Sequence, residues 1–292
     1  SGHVGLDVEH RRAVKRIETA HLEDVTRDSE QLHRGHADGI GAILGALREY
    51  ADFVHVFHAA RPAQQLFFDI ETLRAVEPIP AFGRGACLLF QGDSITDGKR
   101  GRTADPNHIL GHGYVFIIAA RHGAAFPELN LDFMNRGVSG NAVLDLEKRW
   151  QADTLDLKPD LLSILIGVND SGKGVPLDQY EQVYDKLLTG AKAANPRLKL
   201  VLGEPFGLPV GRKKEDWESW NADLAKRREI VARLAARHGA ALVKFQRIFD
   251  EAAKRAPADY WIWDGVHPTY RGHQLMADEW ERTVRSFWPA KD

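Results

Sequence analysis

Ser94 lies in Gly92-Asp93-Ser94-Ile95-Thr96-Asp97-Gly98, directly after the apolar run Cys87-Leu88-Leu89-Phe90. A serine on a turn that ends a buried strand can expose its hydroxyl above a sheet, where a nucleophile is useful. A serine hydroxyl reacts poorly until a base takes its proton, and an imidazole within hydrogen-bond reach does this near neutral pH. A candidate base is His267 in Asp264-Gly265-Val266-His267-Pro268, 173 positions further on, so only the fold can unite the two. Asp264, three residues before His267, can share its turn, fix the ring tautomer and stabilise the imidazolium. Each piece alone is weak. Gly-Asp-Ser is a common turn composition, and Asp264-x-x-His267 by itself reads as a loop with a capping Asp and a surface His.

Two further segments complete the pattern, Asn135-Arg136-Gly137-Val138-Ser139-Gly140-Asn141 and Ile166-Gly167-Val168-Asn169-Asp170. In order and content the four segments resemble the four sequence blocks of the SGNH (GDSL-type) hydrolases, over about residues 85–288. The resemblance implies a serine ester hydrolase that needs no metal or cofactor. Its triad falls on Ser94, His267 and Asp264, and its oxyanion hole on the Ser94 N–H, the Gly140 N–H and the Asn169 side chain. The residue types suit that role: a glycine lets its N–H approach the substrate closely, and an asparagine amide is a donor that cannot lose its proton. Such donors must face the negative charge that builds on the carbonyl oxygen.

Other polar groups near these blocks read differently. Ser139 lacks the strand–Gly-Asp-Ser setting and reads as structural. Asp93, Asp97 and Asp170 read as hydrogen-bonding partners of the loop backbone. Asp93 and Trp263, which adjoin Ser94 and Asp264, are also expected at the substrate pocket.

A narrower resemblance points to the single-domain bacterial acetylxylan esterases. It rests on residues 89–97, Gly137 to Asn141, Arg149-Trp150, Lys158-Pro159-Asp160, Ile166 to Asp170 and Trp263 to Pro268. That group removes acetyl groups from xylose units of xylan or its oligosaccharides and tends to form homo-oligomers. The resemblance therefore implies O-deacetylation of a carbohydrate. A lysophospholipase, arylesterase or acyl-thioesterase could use the same site, and the response to acyl length separates them. A non-catalytic carbohydrate-binding protein on this frame is the remoter alternative.

The elements that must position these residues can be read from hydrophobic periodicity. Strand-like runs at 87–91, 131–135, 161–167, 198–203 and 241–245 alternate with helical patterns at about 112–124, 177–194, 217–238 and 269–287. Such alternation predicts a parallel sheet with right-handed crossovers, a three-layer α/β/α sandwich of five strands. Leu161 to Ile166 is nearly continuous in apolar character, as a strand covered on both faces requires. Sites in such sheets form at the carboxyl ends of the strands, and Ser94, Asn135 to Gly140 and Gly167 to Asn169 all follow expected strand ends.

Residues 1–84 read as a separate, mostly helical or partly irregular extension, with Pro78, Pro80 and Gly83-Arg84-Gly85 as a linker into a hydrolase domain at 85–292. The first 80 residues hold 7 of the 13 histidines. His33-x-x-His36 and His55-x-x-His58 have one-face helical spacing, but neither has a recognisable third ligand, so no metal is expected. The five tryptophans at 150, 217, 220, 261 and 263 read as core or interface, apart from Trp263.

Composition bounds the rest. Of 292 residues, 43% are hydrophobic and 27% charged, with a net charge of −2, which fits an ordinary globular protein and gives no electrostatic case for nucleic acid or an anionic membrane. The single cysteine, Cys87, excludes an internal disulfide and reads as a small core residue. No window approaches 18 apolar residues. The chain opens without a visible signal peptide, a pattern expected of a cytoplasmic protein.

Overall fold

Five runs rich in Leu, Ile and Val form one parallel sheet in a computed structural model that describes residues 77–290. These residues belong to a compact unit spanning 73–292. In chain order the elements are β1 (Cys87–Gly92), α1 (Ser94–Asp97), α2 (Tyr114–Ala125), β2 (Asp132–Asn135), α3 (Val143–Trp150), β3 (Leu161–Leu165), α4 (Val168–Gly172), α5 (Leu177–Ala194), β4 (Lys199–Gly203), α6 (Trp217–His238), β5 (Ala241–Val243), α7 (Phe245–Ala253), α8 (Ala258–Trp261) and α9 (Tyr270–Phe287). The strand order is β2-β1-β3-β4-β5, and every pairing is parallel. The expected three-layer sandwich is what the chain forms.

The period of two along each strand feeds two cores. Leu88 and Phe90 of β1 point into a cluster with Val115 and Ile118 of α2, Phe249 of α7 and Met276, Trp280 and Val284 of α9. Leu89 points the other way, with Leu162, Ile164, Leu200 and Leu202, against α3, α5 and the later turns of α6. All five residues of β3 are buried, as a strand covered on both faces must be. The handedness of parallel crossovers follows from this. The chain leaves β1 for β2 through α2 on one face and returns to β3 through α3 on the other. The strand order therefore reverses beside β1, and the crevice beyond its carboxyl end is where this architecture binds ligands.

Several boundaries differ from the periodicity for local reasons. β3 stops at Leu165 because the next carbonyl, that of Ile166, accepts from the buried Tyr180 hydroxyl at 3.0 Å rather than from a neighbouring strand. Helix α3 has half a capping box: Asp145 Oδ2 accepts the Ala142 N–H at 3.1 Å, while Ala142 has no side-chain oxygen to cap the helix. Its first N–H, that of Val143, instead donates to Asp170 Oδ1 at 2.9 Å, 27 residues away, so its start is set by tertiary contact. The expected linker is not a free spacer, because Ile79, Ala81 and Phe82 are buried in the α2/α9 core. Cys87 is half-buried rather than sealed in the core, with its thiol 3.9 Å from Met134 Sδ; burial, with the Asp132 and Asp160 charges, pushes it up to about 11. The expected extension, including both histidine pairs, lies otherwise outside the described residues. Among the described residues no helix is long and apolar enough to cross a membrane.

Trp280 joins α9 to the sheet. Its ring packs 5.3 Å from Phe90 and 6.2 Å from Phe82, and its indole N–H donates to Ser163 Oγ of β3 at 2.9 Å. Removing such a ring leaves a cavity and an unpaired hydroxyl. Trp280→Ala is expected to cost about 3–5 kcal/mol in denaturant unfolding, whereas a loss below about 1 kcal/mol would show that α9 does not depend on this contact.

Candidate active site

The chain leaves β1 at Gly92 and turns at once into α1, so Ser94 stands at the carboxyl edge of the sheet. Asp93 caps this short helix, its Oδ1 accepting the Ile95 N–H at 3.0 Å, and Gly98 closes it with an N–H donated to Ser94 O at 3.1 Å. From the far end of the sequence a tight clasp presents His267. Trp263 N–H donates to His267 O at 3.1 Å, Thr269 N–H donates to Trp261 O at 2.8 Å, and Ile262 bridges Pro268. The structure thus brings Ser94 Oγ to 2.8 Å from His267 Nε2, and His267 Nδ1 to 2.8 Å from Asp264 Oδ2.

Asp264 fixes the proton on that ring. Its Oδ1 already accepts the Val266 and His267 N–H groups at 3.0 and 2.7 Å. Burial pushes the carboxyl up, but these bonds and the His267 ring outweigh it and hold Asp264 below the ordinary carboxylate range. An ionised carboxylate can only accept, so Nδ1 carries the proton and the Nε2 lone pair faces the serine. Arg212 also reaches Asp264 Oδ2 at 3.3 Å. Nothing in the spacing of Gly211-Arg212-Lys213-Lys214 indicates that contact, which depends on where the loop folds back. The His267 side chain is 31% exposed, and Trp263, 63% exposed, stacks on it at 6.4 Å. The expectation that Trp263 borders the site therefore has a geometric basis, whereas Trp150, Trp220 and Trp261 are buried.

The loop carrying Gly140 packs directly on α1. A side chain on Gly137 would strike the backbone of Thr96 and Asp97, so only glycine allows this approach. Asp97 ties the two together. Its Oδ2 accepts the Ser139 N–H at 3.0 Å and the Ser139 hydroxyl at 2.7 Å, while Arg102 donates to both of its oxygens at 3.0 and 2.9 Å. Ser139 thereby spends its hydroxyl on structure. Gly140 sits at φ +82, where a side chain would be strained although the space around it is open. The N–H groups of Ser94 and Gly140 have no acceptor among the described residues. Asn169 donates from Nδ2 to Asn141 O at 3.0 Å, which orients the amide and leaves its second hydrogen free. Two backbone N–H groups and one amide hydrogen are thus left without a partner on three of the segments identified from the sequence. Among the described residues, no three His, Cys, Asp or Glu side chains converge as a metal site.

Asp93 corrects the sequence reading. Expected at the substrate pocket, it is fully buried beneath the nucleophile turn because its carboxyl faces inward to cap α1. Its Oδ2 has no partner, and neither has Oδ2 of the buried Asp170. Burial, with Asp170 nearby, outweighs the Ile95 N–H and pushes Asp93 up to about 7; burial likewise pushes Asp170 up to about 6. The folded protein thus keeps a proton on Asp93 that the unfolded chain releases near pH 4. The stability this proton contributes is complete below about pH 4 and is lost as pH rises through about 7. Asp93→Asn keeps the acceptor for Ile95 and has no charge to bury. It is expected to lose less stability than the parent between pH 5 and 8 in denaturant unfolding; equal slopes would show that Asp93 holds no such proton.

Comparison with known proteins agrees with this geometry. Residues 90–275 match the GDSL-like lipase/acylhydrolase family. An acetylxylan esterase from Geobacillus stearothermophilus is 33% identical over 219 residues, covering 70% of this chain and 97% of that protein. A crystal structure described as a GDSL-like lipase from Parabacteroides merdae superposes with a TM-score of 0.67 at 38% identity, covering 72% of this chain and all of that one. A crystal structure of the Geobacillus acetylxylan esterase gives a TM-score of 0.62 at 32% identity, covering 70% and 96% of the two chains. With a family match that spans both ends of the Ser94–His267 pair, the chain belongs to the GDSL-like lipase/acylhydrolase family and is a carboxylic ester hydrolase.

Proposed function

We propose that the protein removes acetyl or other short acyl groups from a carbohydrate, with acetylated xylo-oligosaccharides or xylan as the substrate class, through a Ser94–His267–Asp264 triad. The observation that carries the chemistry is the continuous chain from Ser94 Oγ through the His267 ring to Asp264, at 2.8 Å for each step. Support for the substrate comes from the 33% identity to an acetylxylan esterase and from the exposed Trp263 beside His267. A flat aromatic face at the rim suits a sugar ring, whose C–H face is apolar.

In this mechanism Ser94 Oγ attacks the acetyl carbonyl while its proton moves to His267 Nε2, and Asp264 steadies the imidazolium. The carbonyl oxygen, now an anion, receives hydrogen bonds from Ser94 N–H, Gly140 N–H and Asn169 Nδ2. Collapse expels the sugar oxygen, which takes the proton from Nε2 and leaves an acetyl-serine. Water, deprotonated by the same imidazole, then releases acetate and restores Ser94.

Acetate release from acetylated xylo-oligosaccharides, run beside 4-nitrophenyl acetate hydrolysis, tests both halves. Wild type is expected to cleave both, with turnover reduced at least ~10³-fold in Ser94→Ala and changed less than ~10-fold in Ser139→Ala, whose backbone N–H still reaches Asp97. Cleavage of the nitrophenyl ester alone would keep the serine hydrolase and discard the sugar. Rates that rise from acetyl to decanoyl esters would favour a lysophospholipase or thioesterase. Activity that survives Ser94→Ala and fails in Ser139→Ala would overturn the site.

A further inference from the structure

The resemblance gives no role to Arg149, yet its guanidinium lies behind all three oxyanion donors. It projects from the last turn of α3 and is only 18% exposed. Nε donates to Asn141 Oδ1 at 2.8 Å, Nη1 to the main-chain carbonyl of Arg136 at 2.8 Å, and Nη2 to the carbonyl of Gly92 at 3.4 Å. Arg136 and Asn141 are the two ends of the loop that presents Gly140. Gly92 is the hinge between β1 and the turn that presents the Ser94 N–H. Asn141 in turn offers its main-chain oxygen to Asn169 Nδ2 at 3.0 Å. One planar group thus bonds to the loop of the second donor at both ends, to the hinge of the first, and through Asn141 to the third.

The guanidinium is itself held in place. Nη1 also pairs with Asp153 Oδ2 at 3.1 Å. Asp153 lies in the wide turn Gln151–Leu155 that extends α3, and its main-chain oxygen accepts from Gln91 Nε2 of β1 at 2.7 Å. Gln91 Nε2 also donates to Thr154 Oγ1 at 2.8 Å. The clamp is therefore referenced to the strand that carries the nucleophile. Burial pulls Arg149 down, with Asp153 opposing it, which is a cost that an ordinary loop tie would not require.

We infer that Arg149 is a positioning residue for the oxyanion hole, its fork setting the Ser94, Gly140 and Asn169 donors at one mutual geometry before the substrate arrives. This rests on the oxyanion assignment proposed above. Lysine cannot replace it, since an ammonium is a point charge and cannot span three acceptors in a plane.

The test uses Arg149→Lys, which keeps the charge beside Asp153 and most of the packing, together with Arg149→Ala and Ser94→Ala, all checked by thermal unfolding. Steady-state rates are measured with 4-nitrophenyl acetate, and affinity with phenylboronic acid. Boron accepts a lone pair from the serine oxygen to give a tetrahedral adduct that imitates the intermediate. Arg149→Lys is expected to lower kcat on the order of 10²-fold, as loss of one oxyanion donor does, with KM moved less than about 3-fold and boronic acid affinity reduced in parallel with kcat. A folded Arg149→Lys with kcat within about 3-fold of wild type, or with kcat reduced and boronic acid affinity unchanged, overturns the inference while Ser94→Ala remains inactive. If Ser94→Ala keeps its activity, the oxyanion assignment fails and the inference falls with it.

Discussion

A hydrogen bond of 2.8 Å between Ser94 Oγ and His267 Nε2 closes a chain separation of 173 residues, and the sandwich supplies the precision that this requires. General-base chemistry tolerates little slack, because the proton must move within hydrogen-bond reach. Both partners are therefore placed by short, bonded turns rather than by long side chains on mobile loops. Ser94 is the first residue of a helix that begins two residues beyond a fully buried strand end, and His267 sits in a clasp pinned by backbone bonds and a carboxylate three residues away. The sheet carries the first and α9, anchored through Trp280, follows the second.

Electrostatics divides the carboxylates near the site into two kinds. Asp264 and Asp97 accept several N–H or O–H bonds and are held below the ordinary range despite their burial. Asp93 and Asp170 lie deeper, each with one oxygen unpartnered, and burial pushes them up. In the proposed mechanism the Asp264 charge stays beside His267, whereas burial disfavours a charge on Asp93 and Asp170.

How much was legible in the sequence follows from which interactions are local. β1, β2, β4 and α5 are written in their own periodicity, and the four chemistry-bearing segments are short enough to be read directly. The three-layer architecture then follows from strand–helix alternation. What remained hidden depends on distant partners. Helix α3 starts where Asp170 caps it from another segment, β3 ends where Tyr180 takes its carbonyl, and Pro78 to Ala86 packs on α2 and α9 although its prolines and glycines read as a spacer. Asp93 and Trp263 adjoin Ser94 and Asp264 equally in sequence, but α1 turns the first inward and the clasp turns the second outward. Arg149 carried a motif and no visible task, because its three acceptors lie on three segments that meet only in the fold.

In the proposed mechanism Ser94 is the residue acylated during turnover. A fluorophosphonate ester, which phosphonylates an activated serine, tests this when the adduct is located by peptide mass spectrometry. One adduct per chain is expected on Ser94, with labelling slowed when His267 is replaced by alanine. Labelling at Ser139, or labelling of Ser94 at a rate indifferent to His267, would contradict it.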